Sequence, residues 1–131
     1  MNLLLDTHIW IWSVDDPSRL TERVAFELLN PDNELWLSPV STWEAILLVE
    51  KKRIQLLPDA EQWMSQSLRI LRLREACMTH AVAVEAARVV LPHRDPGDRL
   101  LAATAIVYGL TLVTADQRLL GCHGLPLLPN R

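Results

Sequence analysis

His93-Arg94-Asp95-Pro96-Gly97-Asp98-Arg99-Leu100-Leu101-Ala102-Ala103-Thr104-Ala105 sets two carboxylates three residues apart, directly ahead of an uninterrupted helical run. One reading is plain helix initiation. Asp95 serves as N-cap, Pro96 fills the first helical position, and Asp98 is an early acid favoured by the helix dipole. The other reading is chemical: negative charge gathers at a helix start, where backbone amides and a metal ion can share it. The remaining acids of the chain decide between the two.

Working outward, this helix continues to Tyr108 and stops at Gly109, and residues 110–113 follow as a strand ending in Thr114-Ala115-Asp116. Upstream, Thr79 opens an alanine- and valine-rich helix to about residue 91, with Glu85 and Arg88 spaced to pair. At the other end of the chain, Asn2-Leu3-Leu4-Leu5 is short, apolar and closed by Asp6-Thr7, the pattern of a central strand buried on both faces. Residues 8–13 suit a short helix capped by Asp6 or Thr7. Leu20, Val24 and Leu28 recur at helical spacing within an amphipathic helix over residues 19–29. Leu35-Trp36-Leu37 reads as a second strand. The helix after Pro39 ends in Lys51-Lys52-Arg53, a trio suited to a helix C-terminus. Pro58 is expected to open a further helix carrying Trp63 and Met64. Residues 70–73 suggest a short strand, and residues 125–128 a last strand whose prolines place it at an edge. Strands alternating with helices imply right-handed crossovers. The expected fold is therefore one α/β domain over residues 1–131, a three-layer α/β/α sandwich with a mostly parallel sheet.

Composition narrows the function. With 131 residues, half of them hydrophobic, the chain is long enough for one domain with a real core. Sixteen acidic against 13 basic residues give a net charge of −3, so bulk electrostatics does not attract a polyanion. A nucleic-acid substrate would need a local basic patch or a bound cation. Cys77 and Cys122 form no CxxC pair, and a reducing cytoplasmic setting is the expectation. No secretory signal is visible, and the longest uncharged stretch, residues 100–115, is broken by Gly109 and short of a bilayer span. No membrane association is expected.

Four acids share one address in such a sheet. Asp6 ends the first strand, Glu44 lies early in the helix after the second, Asp98 opens the helix before the next, and Asp116 ends that strand. Each has a structural excuse, Glu44 as the partner of Ser41 in a Ser-x-x-Glu capping box among them. Yet strand C-termini and following helix N-termini of a parallel sheet lie along one edge, where ligands bind. Crowded carboxylates repel unless a cation compensates. An all-oxygen donor set suits Mg²⁺, or Mn²⁺, rather than zinc. Such an ion can hold a phosphate oxygen and activate a water for in-line attack.

At these residues the chain resembles the PIN-domain nucleases, and within them the VapC-type toxins of bacterial toxin–antitoxin pairs. The carriers are Leu3-Leu4-Leu5-Asp6-Thr7-His8, Ser38-Pro39-Val40-Ser41-Thr42-Trp43-Glu44, the 93–101 segment and Leu112-Val113-Thr114-Ala115-Asp116, in that order and spanning nearly the whole chain. The resemblance implies a PIN-like fold, and Asp6, Glu44, Asp98 and Asp116 as the catalytic, metal-ligating acids, with Thr7 and Thr114 as hydroxyls beside them. It implies an endoribonuclease, with RNA as substrate, acting as a toxin that forms a homodimer and is blocked by a cognate antitoxin. Two departures stand out: Gly97 where many relatives carry an aromatic, and Thr-Ala-Asp in place of the commoner Thr-Asn-x-x-Asp. Asp95 is assigned to capping.

Two other readings stay open. A receiver-like phosphoryl-transfer domain wants a late lysine, whereas Lys51 and Lys52 sit mid-chain. A degenerate PIN-like binding module would keep the acids merely as caps. For a silenced nuclease, an arginine from the partner is the natural plug for the acidic cluster, with Trp10 or Trp12 as exposed apolar contacts.

Overall fold

Asn2–Leu5 forms strand β1, and the alternation of its side chains builds both cores of the molecule. Leu3 and Leu5 point into one apolar cluster with Leu35, Leu37 and Val113. Leu4 points the opposite way, against Leu112, Ala102 and Ala105. A strand apolar on both faces must lie inside a covered sheet, and β1 is the middle strand of five.

The structure, a computed structural model, describes residues 1–91, 95–119, 122 and 124–131. His93 and Arg94 of the initiating segment lie outside the described residues. Helices α1 (Thr7–Asp15) and α2 (Glu22–Leu29) lead to β2 (Glu34–Leu37), α3 (Pro39–Glu50), α4 (Ala60–Ile70) and β3 (Arg74–Glu75). Then come α5 (His80–Arg88), α6 (Pro96–Tyr108), β4 (Thr111–Thr114), a 3₁₀ turn at Gln117–Leu119 and β5 (Leu127–Pro129). The strand order is β3-β2-β1-β4-β5, and every pairing is parallel. Residues of α1 to α4 pack on the Leu3/Leu5 face, and α6 packs on the Leu4 face with α5 outside it through Val82, Ala86 and Ala103. This is the expected α/β/α sandwich.

The order carries a functional consequence. The chain runs outward from β1 through β2 to β3, then returns to the other side of β1 with β4 and β5. The reversal falls between β1 and β4, and a crevice opens beyond their C-terminal ends. Asp6 closes β1 there, its N–H donating to Val113 O at 3.0 Å across the two strands.

Several expectations change at element ends. The amphipathic helix begins at Glu22, not residue 19, because Thr21 caps it and Pro17–Arg19 is a separate 3₁₀ turn. Pro58 precedes α4 rather than opening it, since Asp59 is the cap, accepting from Gln62 N. The strand expected over residues 70–73 is the last turn of α4 and a reversal in which Arg72 takes φ 52°; the strand itself is Arg74–Glu75. Helix α5 ends at Arg88, short of residue 91. The edge position expected for the last strand holds, as β5 (Leu127–Pro129).

Trp10 is fully buried, against the expectation of an exposed contact. Its ring lies 5.1 Å from that of Trp63, and its indole N–H donates to Ser67 Oγ at 3.0 Å. A tryptophan with its N–H satisfied indoors is a core residue. No helix among the described residues is long and apolar enough to cross a membrane.

Candidate active site

Asp6, Thr7, His8, Trp12, Glu44, Asp95, Asp98, Ala115, Asp116 and Arg118 line one cleft of about 410 Å³ at the β1/β4 reversal. All four sequence-derived acids are among them. Each arrives on its own element: Asp6 as the N-cap of α1, Glu44 from α3, Asp98 from the first turn of α6, and Asp116 from the segment after β4.

Asp6 is held twice. Its Oδ1 accepts from Thr7 N at 2.7 Å, and its Oδ2 accepts from Thr114 Oγ1 at 2.6 Å. Thr114 Oγ1 in turn accepts from Asp116 N at 3.0 Å, so one buried hydroxyl ties the ends of both strands together. Burial nevertheless pushes the Asp6 carboxyl above its ordinary range, outweighing the Thr114 and Thr7 hydrogen bonds.

Glu44 does not form the expected capping box. Ser38 caps α3, accepting from Val40 N at 3.1 Å, while Ser41 lies inside the helix, buried, with no partner for its hydroxyl among the described residues. The Glu44 carboxylate faces the cleft instead and accepts from Thr7 Oγ1 at 3.3 Å. Burial, with the charge of Asp6 adding to it, pushes it up to about 7. Gly97 makes room for this carboxylate. A Cβ at that position would stand 3.3 Å from both Glu44 Cδ and Glu44 Oε1.

Asp98 is buried and likewise pushed up, by burial first and then by Asp95, Asp6 and Asp116. Asp116 moves the opposite way, because Arg118 binds it directly. Arg118 Nη2 lies 2.9 Å from Asp116 Oδ2, 3.4 Å from Asp98 Oδ2 and 3.9 Å from Asp95 Oδ2. Asp95 caps α6 as expected, accepting from Gly97 N at 2.9 Å, and also lines the cleft. His8 and Trp12 form part of the wall, their rings 5.6 Å apart, with the Arg19 guanidinium 4.4 Å over the Trp12 ring. The sequence reading singles out neither Arg118 nor His8. Asp116-Gln117-Arg118 was the available signal, since Asp-x-Arg in a tight turn brings a guanidinium back onto the carboxylate.

Among the described residues, no three carboxylate, imidazole or thiolate groups stand close enough to hold one ion as placed here. The chemistry of the donors fits a hard divalent cation even so: five carboxylates, three of them with raised proton affinity, and no described thiolate in the cleft lining. Carboxylates desolvated side by side are what a doubly charged cation relieves.

A doubly covered parallel sheet with an acidic cleft at its reversal defines the class, and the sequence places the chain within it. The PIN domain model matches residues 3–121, and the chain belongs to that family. Ribonuclease VapC22 of Mycobacterium tuberculosis is 38% identical over 120 residues, 89% of this chain and 88% of that protein. Among solved structures, VapBC2 from Rickettsia felis bound to a promoter DNA fragment superposes with a TM-score of 0.72 at 21% identity, covering 98% of both chains. A toxin–antitoxin complex from Klebsiella pneumoniae gives 0.65 at 18% identity, again over 98% of both. These structural likenesses concern the fold.

Proposed function

We propose that this chain is a divalent-metal-dependent endoribonuclease that uses Mg²⁺, with Mn²⁺ able to replace it, and acts as the toxin of a toxin–antitoxin pair. The observation that carries the reading is the convergence of Asp6, Glu44, Asp98 and Asp116 on one cleft at the sheet reversal. The relative named as a ribonuclease and the fold shared with toxin–antitoxin complexes support it.

In this reading the four acids hold the cation. When bound, it supplies positive charge for the phosphate and lowers the pKa of a water placed for attack. The chain's own work is to orient. Thr114 and the Thr7 N–H fix both oxygens of Asp6, and the Thr7 hydroxyl steers Glu44. No side-chain nucleophile is required in this reading, because water serves as the attacking group. An RNA strand is drawn by the cation rather than by the acidic protein surface. A homodimer and a cognate antitoxin covering the cleft complete the proposal, in a cytoplasmic setting.

One observation favours a second reading, a binding module without catalysis: Arg118 already spans Asp98 and Asp116. Mapping the ends of total cellular RNA after induced expression decides between them. Discrete new 5′ ends are expected with the native chain and not with Asp98→Asn, and purified protein should make the same cuts only with Mg²⁺ or Mn²⁺ present. Cleavage unchanged by Asp98→Asn or by EDTA would overturn the metal-dependent reading.

A further inference from the structure

Arg118 occupies part of the site that a cation would use. The 3₁₀ turn Gln117–Leu119 is pinned on both sides of it. Leu119 is fully buried in the core, and Arg118 N donates to Asp116 Oδ1 at 2.9 Å. The guanidinium therefore starts from a fixed backbone point and folds back over the cleft. Its Nε lies 3.1 Å from Asp116 Oδ1, and its Nη2 reaches Asp116 Oδ2 at 2.9 Å and Asp98 Oδ2 at 3.4 Å. The acids on the opposite side of the cleft, Asp6 and Glu44, take hydrogen bonds from threonines instead. The cleft is thus divided. One half is held by neutral hydroxyls, the other by a positive charge belonging to the chain itself.

Two features make that charge displaceable. The Arg118 side chain is 56% exposed, so water competes for its hydrogen bonds. It also carries one charge where a divalent ion carries two, and only the ion can draw in Asp6 and Glu44 as well.

We propose that Arg118 is a built-in competitor for the divalent cation, holding Asp98 and Asp116 in the metal-free protein and swinging out when the ion binds. This rests on the metal reading above. Metal affinity is then set by a residue that is not itself a ligand.

Titrating MnCl₂ into the full chain by calorimetry, without RNA and at low salt, tests it directly. Arg118→Gln should bind Mn²⁺ about fivefold more tightly than the native chain, the scale of an exposed ion pair released. Arg118→Lys should fall between the two, because an ammonium keeps the charge but cannot fork onto a carboxylate. In the native chain, adding Mg²⁺ should shift the Arg118 Nε–H resonance towards that of a solvated guanidinium. Equal or weaker Mn²⁺ binding by a folded Arg118→Gln chain would overturn the proposal while leaving the metal reading intact, since Arg118 would then be supporting Asp116. Should Arg118→Gln not fold, Arg118→Lys binding no more tightly than the native chain overturns it alone. Absence of binding by every chain would overturn the metal reading, and this inference with it.

Discussion

Thr114 shows how far one hydroxyl reaches in this site. It donates to a buried carboxylate and accepts from the backbone of the next acid, so no apolar isostere can replace it. Thr114→Val should cost about 1–3 kcal/mol of stability, the penalty for leaving a buried polar group without its partner, whereas Thr114→Ser should cost less; chemical denaturation compares them. The same bond bears on how the acids are best probed. In Asp6→Asn an amide would face Thr114 Oγ1, which already accepts from Asp116 N, and the threonine would lose its acceptor. Asp98→Asn is the better probe, since an amide oxygen can still accept from Arg118. It should lower RNA cleavage at saturating Mg²⁺ by about 100-fold or more, the scale of losing one electrostatic stabiliser, without lowering the melting temperature in EDTA. Asp6, Asp98 and Asp116 were legible as a group because each sits where an element begins or ends. The direction of Glu44 was not, because Ser41 and Glu44 have capping-box spacing and only the backbone shows that α3 has already begun at Pro39.

Element ends are where sequence and structure part. Strands β1, β2 and β4 were readable from short apolar runs closed by a polar residue, and α6 from its Asp-Pro start and its stop at Gly109, which takes the left-handed φ 67°. Residues 70–73 misled because a helix end and a short strand both show alternating apolar side chains, and length alone separates them. Trp10 and Trp12 are adjacent in pattern but not in fate. Helix α1 turns Trp10 inward against Trp63, and Trp12 towards the cleft beside His8. At this scale Asp95 is tested by its cap. Asp95→Asn should keep stability, because asparagine accepts from Gly97 N equally well, while Asp95→Ala should cost about 1 kcal/mol. A folded but inactive Asp95→Asn would show that its second oxygen, on the cleft side, takes part in the site as well as the cap.

Across the whole molecule, the cluster makes stability depend on pH and on metal together. Asp6, Glu44 and Asp98 all hold a proton more tightly in the folded chain than when unfolded, Glu44 and Asp98 up to about 7 from ordinary values of 4.5 and 3.8. Through Glu44 and Asp98 the native state binds more protons than the unfolded state across that range, so metal-free stability falls as pH rises from about 4 to about 7, and Asp6 acts in the same direction. Asp116 has the opposite sign, but its pKa is lowered from 3.8, so its contribution is complete by about pH 5, near the start of this window. A bound divalent cation favours the ionised carboxylates and must displace those protons, so its affinity rises across the same range. Melting curves in EDTA and in excess Mg²⁺, from pH 5 to 8.5, should therefore diverge as pH rises to about 7, the range in which Glu44 and Asp98 ionise. At a hundredfold excess over Kd the gap should reach roughly 10 °C. Curves that coincide at every pH would mean that the four acids serve only their elements and bind no cation. A gap that does not widen with pH would mean that the ion is held away from Glu44 and Asp98, the two groups whose protons it would have to release.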